Sequence, residues 1–220
     1  MSISCMMNGR RTPDMFDRWA LTYDDMLKFS KDSFPFAGYD DVLDRIVELA
    51  TPTDGMRILD LGIGTGELAK RFVDYNCEIW GLDFSERMLE LAAKKIPSAN
   101  LIKSDIGSRW PEELSCKFDR VVSAYTLHHF NLDEKLQIIR RIMNELLLTK
   151  GSLVIGDVSF RSFFELGESR KKLVDEWDDD EFYWAADTMK MMTRETGIYV
   201  TYEQVSFCGG VYVVISSEHL

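Results

Sequence analysis

Apolar residues recur at helical spacing in two stretches near the start of the chain. The first stretch runs from Pro13 to Phe29, and the second covers about Tyr39–Ala50. A segment that contains proline and glycine separates them. We therefore expect two amphipathic helices within residues 13–51, preceded by a loose arm of residues 1–12.

Short apolar runs alternate with helical patterns from residue 56 onward. The predicted strands are Met56–Leu61, Cys77–Leu82, Asn100–Lys103, Phe118–Ala124 and Gly151–Gly156. The predicted helices between them are Glu67–Tyr75, Ser85–Lys95 and Asn131–Leu148. The last two helices begin at good capping residues. This alternation predicts an α/β fold of parallel strands with crossover helices on both faces.

The pattern changes after the fifth predicted strand. Residues 160–184 are aromatic and strongly charged, and we expect a lid-like insertion there, although a surface excursion with a solvated acidic face would have the same composition. A helix is predicted over Glu181–Thr196. Two strands follow, Tyr199–Val205 and Val211–Ser216, and the Gly-Gly pair between them indicates a hairpin. No repeat or linker interrupts residues 1–220, which we interpret as a single domain.

Composition narrows the classes of function. The 220 residues, 45% of them hydrophobic, are enough for one sizeable core. A net charge of −11 argues against a general nucleic-acid or anionic-membrane surface. The four cysteines form no C-x-x-C pair, so we expect neither a metal site nor a disulfide framework. With no signal-type or membrane-spanning apolar run, a cytoplasmic location is predicted.

Candidate chemistry begins at the end of the first predicted strand. Asp60 is followed by Gly62, Gly64 and Gly66 at alternate positions, and a helical pattern starts directly after them. Such a loop lets a ligand approach bare backbone at a helix N-terminus. Glu67 stands where the dinucleotide fingerprint has its third glycine, and no Gly-Lys-Ser/Thr of a P-loop follows. The loop alone therefore indicates a ligand site without identifying the ligand.

Two further acids follow predicted strands. Asp83 lies 21 positions after Gly62, where an acid can hold ribose hydroxyls, although capping the next helix is the alternative role. Asp105 either accepts from an exocyclic amine or simply ends a strand. Ligands of doubly wound sheets bind outside the carboxyl ends of the strands, so these acids and the glycine loop are expected to share one cleft.

Four segments resemble the motifs of class I S-adenosylmethionine-dependent methyltransferases. They are Ile58–Gly66, Gly81–Leu89, Ser104–Ile106 and Tyr125–Phe130. Over about residues 13–214 the chain is similar to small bacterial methyltransferases of the YrrT type and to UbiE-like methyltransferase-domain proteins. The resemblance implies a Rossmann-like seven-stranded sheet of order 3-2-1-4-5-7-6, with the last strand antiparallel and an N-terminal helical lid.

The same resemblance implies that S-adenosylmethionine is the cofactor. Asp60 would lie near its ammonium group, Asp83 would accept from both ribose hydroxyls, and Asp105 would accept from the adenine amine. The residues implied to contact the cofactor are Tyr23, Asp60, Gly62, Gly64, Gly66, Asp83, Phe84, Met88, Ser104, Asp105, Ile106 and Tyr125. Tyr23 would form a wall over the cofactor, or else part of an aromatic core stripe.

The implied reaction is transfer of a methyl group to a small-molecule acceptor by in-line displacement, with release of S-adenosylhomocysteine. A general base is needed only if the nucleophile loses a proton, and the candidates are His128, His129 and Asp157. Packing or cofactor support is the alternative role of the two histidines. Asp157 is predicted to end the fifth strand, facing the cleft.

Two other functions remain open at this point. One is an NAD(P)-dependent oxidoreductase of the Rossmann type, and the other is a non-catalytic protein that binds the cofactor and acts on a partner. No nucleic-acid partner and no membrane partner are expected. The atom that receives the methyl group and the oligomeric state stay open.

Overall fold

The fold of this computed structural model, which describes residue 17 and residues 32–217, is built on an eight-stranded sheet. The strands are β1 (Arg57–Leu61), β2 (Glu78–Asp83), β3 (Asn100–Lys103), β4 (Phe118–Ala124), β5 (Leu147–Phe160), β6 (Trp184–Ala185), β7 (Ile198–Gln204) and β8 (Gly209–Ser216). Seven of them lie in the order β3-β2-β1-β4-β5-β8-β7, and β6 pairs with the end of β5. Apart from the short β6, which shifts the later labels by one, this is the predicted arrangement.

Strand direction also agrees with the prediction. The pairs among β1, β2, β3, β4 and β5 are all parallel. The last strand, β8, runs antiparallel to both β5 and β7. The β7–β8 connection is tight, with the Val205 and Ser206 amides both donating to the Gly209 carbonyl, as expected of the predicted hairpin.

Five α-helices surround the sheet within the described residues. They are α1 (Tyr39–Ala50), α2 (Glu86–Lys95), α3 (Leu132–Arg141), α4 (Phe163–Lys172) and α5 (Ala186–Thr193). The bounds of α1 match the prediction. The predicted helix of residues 13–29 and the arm of residues 1–12 lie outside the described residues, except that Asp17 is helical and accepts from the Ser85 hydroxyl at 2.5 Å.

Helices cover both faces of the sheet, as the alternation predicted. Successive residues of β1 illustrate this, because Ile58 packs in one buried cluster with α1 and α2. Leu59 packs in the other cluster with α3 and α5. Side chains of a strand alternate between the two faces, so each strand contributes to both cores.

The two predicted capping arrangements are present. The Ser85 hydroxyl accepts from the Met88 amide at the start of α2. At the start of α3, Asn131 and Glu134 form a reciprocal capping box. These caps fix where the chain leaves the sheet and turns into each helix.

Several predicted bounds were wrong. The helix predicted over Glu67–Tyr75 is a 3-10 helix of Ala69–Tyr75, and α5 is shorter than the predicted Glu181–Thr196. The helix predicted to reach Leu148 ends as α-helix at Arg141 and continues as a π-helical turn of Ile142–Leu146. The chain then enters β5, because pairing of Leu147 with Phe118 of β4 takes over from local helical periodicity.

The fifth strand is longer than predicted, and this moves Asp157. The predicted strand Gly151–Gly156 closed on Asp157, whereas β5 runs on to Phe160 and keeps Asp157 inside the sheet. The segment predicted to be a lid, residues 160–184, holds α4 and the start of β6. In the described part of the chain, no helix combines the length and apolar character needed to cross a membrane.

Candidate functional site

A cavity of about 780 Å³ opens at the carboxyl ends of β1, β2 and β4. The predicted site residues that line it are Asp60, Gly62, Gly64, Asp83, Phe84, Met88, Asp105, Ile106, Tyr125 and His129. Those that do not line it are Gly66, Ser104, His128 and Asp157. Tyr23 lies outside the described residues. The structure therefore brings most of the predicted residues to one cavity at the strand ends, and their contact with a cofactor stays a prediction.

The glycine loop makes one wall of this cavity. Gly62, Gly64 and Gly66 all have positive φ angles, of 75°, 53° and 87°, which side chains rarely tolerate. A Cβ atom at Gly62 would lie 2.4 Å from side-chain atoms of Thr126, whereas a Cβ atom at Gly64 would meet nothing within 4 Å. Gly64 thus presents bare backbone to the cavity, and Gly62 allows close packing against the segment after β4.

Gly66 plays a packing role in the structure. A Cβ atom there would lie 3.5 Å from Ala92 and Ile96, at the far end of α2. Ser104 donates its amide to the Asp83 carbonyl, so its backbone extends the pairing of β2 and β3. These two residues support the cavity wall from behind, and their predicted contact with the cofactor stays a prediction.

Asp83 anchors the glycine loop to the end of β2. Its Oδ2 accepts from the Gly64 amide at 2.9 Å, and its Oδ1 accepts from the Ser85 amide at 2.9 Å. Burial raises the pKa of the Asp83 carboxyl, and these backbone donors offset part of that rise. A carboxylate has about four acceptor positions. Asp83 therefore retains acceptor capacity toward the cavity after fixing the loop.

Asp60 is the most unusual acid of the cavity. Its carboxylate is buried, and neither oxygen makes a hydrogen bond of normal geometry with a described group. Burial raises its pKa to about 8, with a further contribution from the charge of Asp83, and the nearby backbone N–H of Ala69 offsets only part of the rise. A buried carboxylate without donors is costly, so this position is poised for a cationic or hydrogen-bond-donating ligand.

Acidic groups dominate the charge of the lining. Five carboxylates line the cavity, and the described lining includes no lysine or arginine. Glu67 is the one whose charge is balanced nearby, since Lys70 and Lys95 each lie 2.5 Å from its carboxylate oxygens. Although burial opposes it, these two lysines lower the pKa of Glu67. The described part of the lining therefore favours positively charged ligands.

Aromatic side chains of Tyr39 and Tyr125 line part of the cavity. Tyr125 stacks at an angle against Tyr39, with ring centroids 5.1 Å apart, and against Phe36 at 5.5 Å. The backbone of Tyr125 has a φ of 48°, an uncommon conformation for a residue with a side chain. Strained residues of this kind cluster at ligand sites, where surrounding structure fixes them. Tyr125 fits this pattern, since it combines a positive φ with a place in the cavity lining.

His128 lies just behind the cavity and belongs to a buried polar network. Its Nδ1 lies 2.6 Å from Asp157 Oδ1, and its Nε2 lies 3.5 Å from Glu181 Oε1. Burial lowers the pKa of His128, but the charges of Asp157 and Glu181 outweigh burial and raise the pKa to about 9. A histidine in this state holds its proton at neutral pH, which disfavours its predicted role as a general base.

Asp157 supports this network from within β5. It is fully buried, and besides the His128 ring it accepts from the His128 amide at 2.9 Å and from the Trp184 indole at 3.0 Å. Both of its oxygens are therefore occupied by protein donors. The geometry makes Asp157 a group that orients His128, in place of the predicted base facing the cleft.

A buried lysine completes the network. Lys135 of α3 donates to the Phe182 carbonyl and lies 4.3 Å from the centre of the Trp184 ring. Burial lowers its pKa to about 8, although the charges of Asp157 and Glu181 oppose the shift. Sequence patterns pointed to His128 and Asp157, but they gave no sign that Glu181, Trp184 and Lys135 join them, because these residues lie on segments far apart in the chain.

His129 is the candidate base that reaches the cavity. It is half-buried, lines the cavity and packs edge-on against His128, with ring centroids 4.1 Å apart. The lining residues that were not predicted as contacts are Tyr39, Ile63, Thr65, Glu67, Leu68, Ala124, Thr126, Phe130 and Asp180. Most of them lie within the motif segments Ile58–Gly66 and Tyr125–Phe130 or within two residues of these segments. Tyr39 and Asp180 arrive from distant segments and had no such signal.

Comparison with known proteins identifies the family. A family model described as a methyltransferase domain matches residues 58–148. An uncharacterized methyltransferase of Anoxybacillus flavithermus is 30% identical over 204 residues, which cover 88% of this chain and 92% of the relative. This chain belongs to the class I methyltransferases. The predicted resemblance, which rested on four short motifs, is thereby confirmed.

Two further comparisons place this methyltransferase among its relatives. The uncharacterized methyltransferase YrrT of Halobacillus halophilus is 25% identical over 202 residues, covering 88% of this chain and 92% of the relative. The structure of a DhpI complex with S-adenosylhomocysteine superposes with a TM-score of 0.67 over 93% of this chain and 94% of that chain. At 16% identity, the second comparison shows a shared fold.

Proposed function

We propose that this methyltransferase transfers the methyl group of S-adenosylmethionine to a small-molecule acceptor by in-line displacement. The charge of the cavity carries the proposal, since five carboxylates and no lysine or arginine line its described part. The cofactor brings a sulfonium and an ammonium group, which complement that lining. The pyrophosphate of NAD(P) would bring negative charges to the same carboxylates, so the charge balance disfavours the oxidoreductase alternative.

Asp60 supports the same cofactor. Its buried carboxylate makes no hydrogen bond of normal geometry with a described group, and the Gly64 backbone faces the same cavity. An ammonium group placed there would supply both donors and an opposite charge. The residues present therefore fit the amino-acid end of S-adenosylmethionine.

The remaining cofactor contacts follow from the strand ends. Asp83 retains acceptor capacity for the ribose hydroxyls after binding two backbone amides. Asp105 would accept from the adenine amine while its Oδ1 accepts from the Gly107 amide at 2.8 Å. The apolar side chains of Met88 and Ile106, which line the same cavity as Asp105, would pack against the adenine ring.

Bound S-adenosylmethionine supplies a methyl group made electrophilic by a positively charged sulfur. The chain then contributes chiefly by positioning the acceptor in line with that methyl group. Among the three candidate bases, His129 alone lines the cavity, so it is the one able to contact an acceptor. We assign His128 and Asp157 to holding this segment in place.

The shape of the cavity favours a modest acceptor. Its volume of about 780 Å³ falls within the range of pockets for small ligands, so the cofactor leaves room for only a small second molecule. Tyr39, Tyr125 and Phe130 supply aromatic wall, which suits an acceptor with apolar or planar parts. The absence of lysine and arginine from the described lining disfavours a nucleic-acid acceptor at this site.

Calorimetric titration tests the cofactor assignment. Purified protein is titrated with S-adenosylmethionine, S-adenosylhomocysteine, NADH and NADPH. We expect one site per chain for the first two ligands and no binding of the nicotinamide cofactors. Asp83→Ala should weaken binding of S-adenosylhomocysteine by about 1–3 kcal/mol, because charge-assisted hydrogen bonds are lost. Asp74→Ala, which removes an exposed acid outside the lining, is the matched control.

Binding of NADH without binding of S-adenosylhomocysteine, in folded protein, would contradict the proposal.

Turnover separates the enzyme from a non-catalytic cofactor-binding protein. A panel of small hydroxyl, amine and thiol compounds is incubated with S-adenosylmethionine, and release of S-adenosylhomocysteine is followed. Release that depends on one acceptor is the expected outcome, and no release with any of them would favour the non-catalytic alternative.

A further inference from the structure

The histidine pair after β4 meets a glutamate from the segment that precedes β6. His128, His129 and Glu181 each offer a ligand atom, and these atoms all lie within 4.8 Å of one another. We infer that these three side chains bind a divalent transition-metal ion at the wall of the cavity. Two imidazole nitrogens with one carboxylate form a ligand set typical of zinc and neighbouring first-row metals.

The spacing of the donor atoms fits a common coordination sphere. His128 Nε2 lies 3.5 Å from Glu181 Oε1. Ligand atoms about 2.1 Å from a tetrahedral zinc ion lie about 3.4 Å from each other, so this pair needs little adjustment to share an ion. His129 is half-buried and lines the cavity, and its ligand atom lies within 4.8 Å of those of His128 and Glu181.

Asp157 provides independent support as an orienting group. Its Oδ1 lies 2.6 Å from His128 Nδ1, which leaves Nε2 directed toward Glu181. Metal-binding histidines commonly donate their second ring N–H to a carboxylate in this way, which fixes both tautomer and orientation. Asp157 is itself fixed by the Trp184 indole.

The backbone holds the third ligand in place. The Phe182 amide donates to the His128 carbonyl at 2.8 Å, so the residue after Glu181 is tied directly to the histidine segment. Lys135 donates to the Phe182 carbonyl from the other side. Glu181 therefore lies on a segment secured by two hydrogen bonds, as a metal ligand requires.

Electrostatics favours a cation between these groups. Asp157 and Glu181 both face the His128 ring, and both are buried. Lys135 contributes one positive charge, but its ammonium group is directed at the Phe182 carbonyl and the Trp184 ring. A metal ion on Nε2 would take the place of the imidazolium proton and balance the second carboxylate.

The ion would define the class of acceptor, an inference that rests on the proposed function. His129 lines the cavity, so an ion bound to it would lie within reach of an acceptor. Such an acceptor would coordinate through an oxygen atom, as a hydroxyl or hydroxy-carboxylate compound does. The expectation of no metal site came from cysteine spacing, which carries no information about histidine and carboxylate ligands.

Metal uptake by the purified protein tests the inference. Metal-free protein, dialysed against a chelator, is titrated with Zn²⁺ by calorimetry and with Co²⁺ by visible absorption. We expect one ion per chain, with Co²⁺ bands of nitrogen and oxygen ligation and without thiolate charge transfer. Glu181→Gln and His129→Asn should each weaken Zn²⁺ binding by about tenfold or more.

Matched controls locate the site. Glu176→Gln removes an exposed carboxylate of the same region, and His219→Asn removes the third histidine of the chain. Both should bind Zn²⁺ as the unchanged protein does. No uptake by folded protein would overturn the inference, as would uptake that Glu181→Gln and His129→Asn leave unchanged. If Glu181→Gln fails to fold, His129→Asn alone decides, since its side chain lies at the cavity wall.

Titration of the chelator-treated protein with S-adenosylhomocysteine separates this inference from the proposed function. Binding of that ligand without any uptake of Zn²⁺ would overturn the metal site and leave the methyltransferase assignment intact. Uptake of Zn²⁺ without binding of S-adenosylhomocysteine would contradict the methyltransferase assignment and leave the metal site intact.

Discussion

Asp60 is a buried acid whose charged form is unfavourable in the protein without a ligand. Its carboxylate is buried beside Asp83, and its pKa is raised to about 8 by burial first and by that neighbouring charge second. An acid whose pKa is higher in the folded protein than in the unfolded chain destabilises the fold once pH exceeds its unfolded value. A cationic ligand would remove this penalty, because it would stabilise the buried carboxylate by an opposite charge.

Cofactor affinity should therefore depend on pH. Below pH 8 the Asp60 carboxyl of the ligand-free protein is mostly protonated, and it must lose that proton to pair with an ammonium group. Affinity for S-adenosylhomocysteine should rise between pH 5.5 and 7.5, by up to about tenfold per pH unit. Calorimetric titration at several pH values measures the slope, and the ligand ammonium stays protonated over most of this window.

Asp60→Asn tests whether Asp60 causes this pH dependence of the affinity. It should bind S-adenosylhomocysteine more weakly at pH 7.5, and its affinity should change little with pH. Without ligand it should also melt at a higher temperature than the unchanged protein at pH 9, where Asp60 is mostly charged. A pH slope that persists in Asp60→Asn would show that another group titrates.

For single residues, the predictions were right where the position in a motif determines where the side chain lies. Asp60, Asp83 and Asp105 line the cavity as predicted, because the carboxyl ends of parallel strands meet at one edge of a sheet. The prediction failed for Asp157, since the end of β5 is set by pairing with β6 and β8 rather than by local pattern. Asp180 was missed because a segment far along the chain carries it to the cavity.

The glycine loop is the element that couples β1 to the segment after β4. Gly62 has a φ of 75°, and a Cβ atom there would lie 2.4 Å from the Thr126 side chain. Gly55, in the turn before β1, has a similar φ of 77° but no neighbour within 4 Å of an added Cβ atom. The two positions therefore share the backbone penalty and differ in the steric clash.

Alanine substitution should separate these two effects. Gly55→Ala should lower the free energy of unfolding by about 1 kcal/mol, from the left-handed backbone alone. Gly62→Ala should lower it by about 1–3 kcal/mol more, because Thr126 and the loop must move apart. Urea unfolding of both variants measures the difference. Equal losses would mean that Thr126 rotates away freely and that the loop does not depend on close packing.

Gly64→Ala completes the series within the same loop. Its φ of 53° and the open space around it predict a stability loss close to that of Gly55→Ala. Its added methyl group would enter the cavity, so we expect a selective loss of affinity for S-adenosylhomocysteine. Affinity equal to that of the unchanged protein would place the ligand away from this backbone.

Elements were predictable where local signals agree with the tertiary fold. The helix α1 matches its predicted bounds, since its apolar face, Gly38 before it, and Pro52 and Gly55 after it mark both ends. The boundary between α3 and β5 was not predictable, because residues 142–148 keep helical periodicity while long-range pairing of Leu147 with Phe118 makes a strand. Short β6 is likewise a product of pairing with β5 rather than of its own two residues.

The whole molecule places its ligand site where strand order reverses. The sheet runs from β1 to β2 and β3 on one side, and from β1 to β4 and β5 on the other. The chain leaves β1 and β4 in opposite directions, and the cavity lies between the loops that follow them. The resemblance to class I methyltransferases predicted this strand order, and the rule that ligands of doubly wound sheets bind outside the carboxyl ends of the strands predicted where the cavity would lie.

The acidic character of the molecule gives the last prediction. The chain carries a net charge of −11, and five of its carboxylates line the cavity. S-adenosylmethionine differs from S-adenosylhomocysteine by one positive charge on sulfur, so the first ligand gains more from this field. Raising NaCl from 0.05 to 0.5 M should weaken binding of S-adenosylmethionine by at least about threefold more than binding of S-adenosylhomocysteine.

Paired calorimetric titrations measure the ratio of the two salt effects. Asp180→Asn, which removes an exposed acid of the lining, should reduce that ratio. Equal salt dependence of the two ligands would mean that the sulfonium lies beyond the influence of these carboxylates, and the charge argument for the cofactor would then rest on the ammonium group and Asp60 alone.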